Sequence, residues 1–169
     1  FESTEKIDFY LPKVKQYIEE EVIPVEKKIH EQEKAGSDRW QPHEELEPLK
    51  EEAKKRGLWN LFLPDSELGS GLSNFEYAHL AEQMGRTTFA SETMNCSAPD
   101  TGNMEVLVRY GSKEQQDQWL KPLLNGEIRS AFGMTEPGVA SSDATNMEAK
   151  AELVDGQWVI NGEKWWTSG

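Results

Sequence analysis

An α+β chain is what the 169 residues predict: an all-α amino-terminal domain over residues 1–128, then the start of an antiparallel β domain over residues 129–169. Three observations carry this. Through the first part, apolar residues recur at three- and four-residue intervals, the spacing that gathers side chains on one face of a helix. After Arg129 the period becomes two, as in a strand whose side chains alternate between faces. The dipeptides Asp155-Gly156 and Asn161-Gly162 fall between the alternating runs, where a tight hairpin turn needs residues that tolerate positive φ.

Taken in order, Ile7, Tyr10, Leu11, Val14 and Ile18, with Lys and Glu between them, predict an amphipathic helix over about 4 to 22. Pro24 lacks a backbone donor and is expected to bend or interrupt it, with Glu26 to Lys34 continuing as a solvated segment. Leu46, Leu49 and Ala53 mark a second helix. Lys54-Lys55-Arg56 set cations at its negative end, and Gly57 can take the left-handed cap. Leu58 to Pro64 is an apolar connector, expected to be buried. Ser73 with Glu76, and Ser112 with Gln115, match the capping box, in which a hydroxyl and a side chain three residues on satisfy each other's orphan amides. They predict helices over about 74 to 84 and 113 to 121, followed by Gly85 and Gly126. Between them Pro99 to Tyr110 puts Met104, Leu107 and Val108 on one face and stops at Gly111; this helix is expected among the most buried. Ala149, Ala151 and Leu153, then Trp158 and Ile160, then Trp165 predict three strands of a meander, with Trp165 in the sheet core. Three strands stopping at Gly169 leave an open edge and an uncovered apolar face, so a larger β domain is expected around them.

Composition narrows the function. Hydrophobic residues make up 36% and charged residues 29%, with six Trp and six Phe, which is enough apolar volume for a core and argues against disorder. Acidic residues number 31 against 18 basic, a net charge of -13 that repels phosphate backbones, so no nucleic acid partner is expected. No run approaches the roughly 18 apolar residues of a membrane span, and Phe1-Glu2-Ser3-Thr4 has neither region of a secretory signal, so a soluble protein without a transmembrane segment is expected. Cys96 is the single cysteine; it is read as a small packed thiol, and a reducing compartment is expected. His30, His43 and His79 fall on separate helices, which gives no metal or triad spacing, and no Rossmann or P-loop signature occurs. Trp40, Trp59, Trp119 and Trp158 are read as packing residues.

Ser130 to Asn146 stands apart. It holds Gly133, Gly138 and the hydroxyls of Thr135, Ser141, Ser142 and Thr145 around Glu136 and Asp143, directly before a sheet. Small residues let backbone approach a ligand, and hydroxyls with free amides suit phosphate or carbonyl oxygens; the alternative is an ordinary Gly/Ser connector.

Ala131-Phe132-Gly133-Met134-Thr135-Glu136-Pro137, followed by Ala140-Ser141-Ser142-Asp143, resembles a signature of the acyl-CoA dehydrogenase family. A second signature is similar to Gly162-Glu163-Lys164-Trp165-Trp166-Thr167-Ser168, at the matching spacing. The helical order ahead of them looks like the family's amino-terminal domain, so the resemblance covers essentially the whole chain, and it is strongest to the branch of family members 10 and 11. It implies FAD as cofactor and α,β-dehydrogenation of an acyl-CoA substrate, of the kind in fatty acid β-oxidation, with electrons passed to an electron-transfer flavoprotein. It implies cofactor contacts from Phe132, Met134 and Thr135 along the flavin ring, Ser141 near the pyrophosphate, Trp166 flanking the ring, and Thr167 and Ser168 near its reactive nitrogen. Ser142 would meet the thioester arm, and Asn103, Met104 and Leu107 would line the acyl-tail pocket. The family's catalytic base lies in a carboxy-terminal helical domain absent from these residues, so no catalytic residue is assigned, and Glu136 is read as structural. A homo-oligomer, dimer or tetramer, is also implied, in the mitochondrial matrix or peroxisome of a eukaryote or the cytoplasm of a bacterium. Two departures from the pattern bear on cofactor contacts: Gly138 to Asp143 is one residue longer than the common Gly-Ala-Gly-Ser-Asp, and Trp-Ile-Thr becomes Trp166-Thr167-Ser168. Rival readings are an acyl-CoA oxidase or nitroalkane oxidase on the same scaffold, or a truncated binding protein without turnover.

Overall fold

The computed structural model describes residues 2–36, 38 and 41–167. It divides into two compact units, Phe1–Ile128 and Arg129–Gly169. The family-implied Ser168 and the packing residue Trp40 lie outside the described residues.

The first unit is helical. Thr4 opens α1 (Glu5–Tyr17): its hydroxyl accepts from the Ile7 amide at 3.3 Å and donates to Glu76 at 2.8 Å, so one side chain caps a helix and ties it to another. Pro24 does not interrupt the rod. The chain widens into a π turn at Ile18–Val22 and continues as α2 (Ile23–Lys34). Pro24 then sits in the first turn of α2, and the wider turn before it relieves the crowding of its ring against the preceding carbonyl. The three acids of that turn are matched by cations from elsewhere in the chain, Glu20 and Glu21 by Arg56 and Glu19 by Arg86.

The second helix, α3 (Leu46–Lys55), ends as its sequence predicts. Gly57 takes φ 69° and the Leu58 amide reaches back to Ala53 at 2.8 Å. Leu58, Leu61, Phe62 and Leu63 of the connector are buried, as expected. Both capping boxes are formed, at α4 (Asn74–Met84) and at α7 (Lys113–Gln115). The short α5 (Ala90–Thr93) has no start signal in the sequence. The last helical stretch runs past the expected residue 121, through a π turn at Gln116–Leu120 into α8 (Lys121–Asn125), which Gly126 closes at φ 73°. Its terminal carbonyls are capped by side chains far away in sequence. Trp59 donates to Leu124 at 2.7 Å, Asn60 to Leu124 at 2.9 Å, and Asn95 to Leu123 at 3.0 Å. Asn60 and Asn95 both take left-handed backbone, φ 58° and 53°, the conformation Asn tolerates best among residues with a side chain.

Helix α6 (Asp100–Tyr110) is not among the most buried: only Asp100 and Met104 are enclosed, Leu107 and Val108 are half-buried, and Val106 and Tyr110 are exposed. Three apolar positions on one face measure amphipathicity, not the depth to which that face sinks. The core beneath gathers Val14, Tyr17, Ile18, Leu58, Leu80 and Met104, and Cys96 packs there as a buried free thiol whose pKa burial pushes up to about 11.

The second unit is a loop and a hairpin. β1 (Lys150–Val154) and β2 (Gln157–Asn161) pair antiparallel with Leu153 opposite Trp158 and Ala151 opposite Ile160. Asp155 and Gly156, at φ 48° and 78°, make the two-residue turn the sequence announces. The expected third strand is not found among the described residues, and Trp165 is exposed rather than sheet core. At Gly162 the chain passes over Ala149 so closely that a Cβ would come within 2.4 Å of the Ala149 Cβ, so this glycine serves a crossing and not a hairpin. The Trp165 amide then donates to the Thr135 carbonyl at 3.0 Å, away from β2. Among the described residues no helix is long and apolar enough to cross a membrane.

Candidate functional site

Two segments distant in sequence run side by side in the second unit, and Glu136 is the reason. Its buried carboxylate accepts from the Glu148 amide at 2.7 Å, the Ala149 amide at 3.0 Å and the Lys164 ammonium at 2.8 Å. The Lys164 bond foremost, then the two amides, hold its pKa down to about 2. A carboxylate so engaged is a poor proton acceptor near neutral pH, in keeping with the structural reading of Glu136. Lys164 also donates to the Met134 carbonyl at 2.8 Å. With the Trp165 to Thr135 bond, this fixes residues 134–136 against 164–165.

Between these bonds the candidate cofactor residues point outward. Phe132, Thr135, Trp166 and Thr167 are exposed and Met134 is half-buried. Trp166 is 82% exposed and holds φ 54°, a conformation uncommon for a bulky residue, and its ring meets that of Trp165 edge-on at 6.2 Å. A Cβ on Gly133 would sit 3.8 Å from the Thr167 hydroxyl, so the two segments approach closely here too. We call the two adjoining segments, with their aromatic, thioether and hydroxyl groups and the bonds that tie their backbones together, a ledge.

The loop between is organised from within. Ser141 is buried, and its hydroxyl accepts from the Glu136 amide at 2.8 Å. That hydroxyl is committed to the loop; Ser142 is the exposed hydroxyl of the pair. Asp143 caps the 3₁₀ turn Ala144–Asn146, accepting from the Thr145 amide at 3.0 Å and from its hydroxyl at 2.6 Å; these bonds lower its pKa, the hydroxyl bond most.

In the helical unit, Asn103, Met104 and Leu107 lie together on α6. Met104 is wholly enclosed in the core, so Asn103 and Leu107, both half-buried, are the two that present surface. An opening in the β unit, about 600 Å³, lies elsewhere: Glu136, Glu148, Glu152 and Glu163 line it, with Lys150 the one cation among its lining. Its carboxylates repel anions, which makes it a poor seat for a pyrophosphate.

Lys164 is the residue sequence reasoning leaves without a role. Its partner is 28 positions away, beyond any local spacing rule, and the one signal is a lone cation within an aromatic and hydroxyl motif.

Comparison with known proteins gives the following. The family model described as acyl-CoA dehydrogenase, N-terminal domain, matches residues 4–127, and that described as acyl-CoA dehydrogenase, middle domain, matches residues 131–169. Acyl-CoA dehydrogenase family member 10 of Mus musculus is 58% identical over 159 residues, covering 91% of this chain and 15% of the relative. Family member 11 of Homo sapiens is 51% identical over 172 residues, covering 100% of this chain and 22% of the relative. The chain thus spans about a fifth or less of the length of these relatives. A solved structure of a candidate acyl-CoA dehydrogenase from Mycobacterium abscessus superposes with a TM-score of 0.94 at 54% identity, covering 100% of this chain and 44% of the other. An acyl-CoA dehydrogenase from Bacillus anthracis, solved in complex with FAD, gives a TM-score of 0.66 at 28% identity, covering 98% of this chain and 27% of the other.

Proposed function

The chain belongs to the acyl-CoA dehydrogenase family, and on that premise we propose that it supplies the flavin-facing wall of an FAD enzyme that oxidises acyl-CoA thioesters at the α,β bond. The observation that carries this reading is the ledge of Phe132, Met134, Thr135, Trp166 and Thr167, built from two segments that Glu136 and Lys164 lock together.

The ledge fits a flat heteroaromatic ring. Exposed aromatic rings and the half-buried Met134 thioether offer it stacking surface, and Thr135 and Thr167 are exposed for its polar edge. When bound, FAD accepts the hydride that leaves the substrate β-carbon. The chain's own contribution is position and electrostatics. Thr135 and Thr167 direct donors at the ring, where negative charge accumulates on reduction, and Trp166 shields it from water. Ser142 orients the thioester carbonyl so that the α-proton is presented to a base outside these residues. Asn103 and Leu107 offer the acyl tail a half-buried helical face. The electrons pass on to an electron-transfer flavoprotein, and the enzyme works as a dimer or tetramer in the mitochondrial matrix or peroxisome of a eukaryote, or the cytoplasm of a bacterium.

The test is optical. The complete protein, purified, is expected to be yellow and to bleach when an acyl-CoA is added without oxygen. A colourless protein that stays colourless after incubation with FAD overturns the reading; rapid recolouring in air, with peroxide formed, moves it to an acyl-CoA oxidase.

A further inference from the structure

Lys164 does more than close an ion pair. Its ammonium donates to the Glu136 carboxylate and the Met134 carbonyl, each at 2.8 Å, and more weakly to the Met147 thioether at 3.8 Å. The Met134 carbonyl and the Thr135 N–H are the two ends of one peptide group. A cation at the oxygen draws electron density through the amide and makes the N–H at the other end a stronger donor, the cooperative polarisation seen in chains of hydrogen bonds. The Thr135 carbonyl is itself engaged by the Trp165 amide at 3.0 Å, so the peptide on that side is held in orientation. Glu136 is anchored independently of Lys164 by the Glu148 and Ala149 amides, which lets the carboxylate temper the cation's charge without depending on it for its place.

We propose that Lys164 is a positioning residue that acts through the Met134–Thr135 peptide: it strengthens the Thr135 N–H, a donor that the flavin reading directs at the ring, and so favours the reduced, electron-rich ring. Glu136 opposes it as the tempering charge. The proposal rests on the flavin reading above, and it makes a prediction that a mere clamp does not. If the pair only held two segments together, loosening either partner would move the cofactor's properties the same way. If Lys164 acts by its charge, removing it and removing its counter-charge move the reduction potential in opposite directions.

The experiment is spectroelectrochemical titration of the FAD-loaded protein and of K164M, K164R and E136Q. In K164M the ratio of affinities for reduced over oxidised flavin is expected to fall about tenfold, which is about 30 mV downward for a two-electron couple. In E136Q the potential is expected to rise, because Gln keeps the oxygen that meets Lys164 and Ala149 while its charge is gone and only the bond from the Glu148 amide is lost. K164R, which keeps the cation, should stay near the parent. Shifts of the same sign in K164M and E136Q, or an unchanged potential in a yellow K164M, overturn the proposal. Should K164M fail to fold, a potential in E136Q that stays put or falls overturns it equally. A parent protein that carries no flavin sinks the flavin reading instead, and is told apart before any variant is made.

Discussion

The two units use the same kinds of residue for opposite ends. In the helical unit Leu58, Leu80, Met94 and Met104 are sealed from water, and even the carbonyls at the end of α8 are capped by Trp59, Asn60 and Asn95. In the β unit Leu153, Trp158 and Ile160 form an exposed apolar face of the hairpin, Phe132 and Trp166 stand out from the ledge, and the buried groups are a carboxylate and a hydroxyl. Apolar packing therefore holds the first unit, and a hydrogen-bonded charge organises the second. With apolar groups on the outside, the rigidity of the β unit comes from the polar bonds between its segments.

The largest effect that sharpens this contrast lies in the helical core. Leu80 is fully buried on α4, and Leu80→Ala removes its side chain from a site where neighbours can collapse only in part. It is expected to cost about 2 to 5 kcal/mol in urea unfolding followed by far-ultraviolet circular dichroism. A cost below about 1 kcal/mol would mean that this core is looser than its burial implies.

Acid should break the contrast from the other side. The pKa of Glu136 is lowered from 4.5 to about 2, so its contribution to stability is fully present above pH 4.5 and is lost as pH falls through about 2. The Glu148 and Ala149 amide protons, observed by NMR, should keep their hydrogen-bonded shifts well below pH 4 and move only as pH nears 2. In E136Q that transition should vanish. A midpoint near 4.5 in the parent would mean the carboxylate is held far less tightly than its three donors imply.

What the sequence made legible follows from the range of each interaction. Capping boxes at Ser73 and Ser112, the Gly57 stop and the Asp155-Gly156 turn are decided within four residues, and all are formed. The π turns at Ile18–Val22 and Gln116–Leu120 leave no mark in apolar periodicity, because they shift register without changing which residues are apolar. The depth of α6 depends on what covers it, and the third strand depended on Gly162 acting as a turn when a clash with Ala149 demands a crossing. At the ledge, the residues were nameable from two motifs, whereas the Glu136–Lys164 bond that joins them spans 28 positions and exists only in the fold.

The smallest expected effect tests whether the hairpin is as open in solution as in the structure. Ile160 is 76% exposed, opposite Ala151 and on the same face as Leu153 and Trp158. Thr keeps the β-branch that a strand favours while removing most of the apolar surface, so Ile160→Thr in the 169-residue chain should change thermal stability by no more than about 0.5 kcal/mol. A contiguous apolar ribbon of this kind invites contact with other apolar surface, so the variant should also be more soluble at high concentration, as light scattering would record. If the substitution instead costs more than about 1 kcal/mol, the ribbon is covered in solution. The helical and β units would then differ in the origin of the cover rather than in the rule that apolar residues are buried.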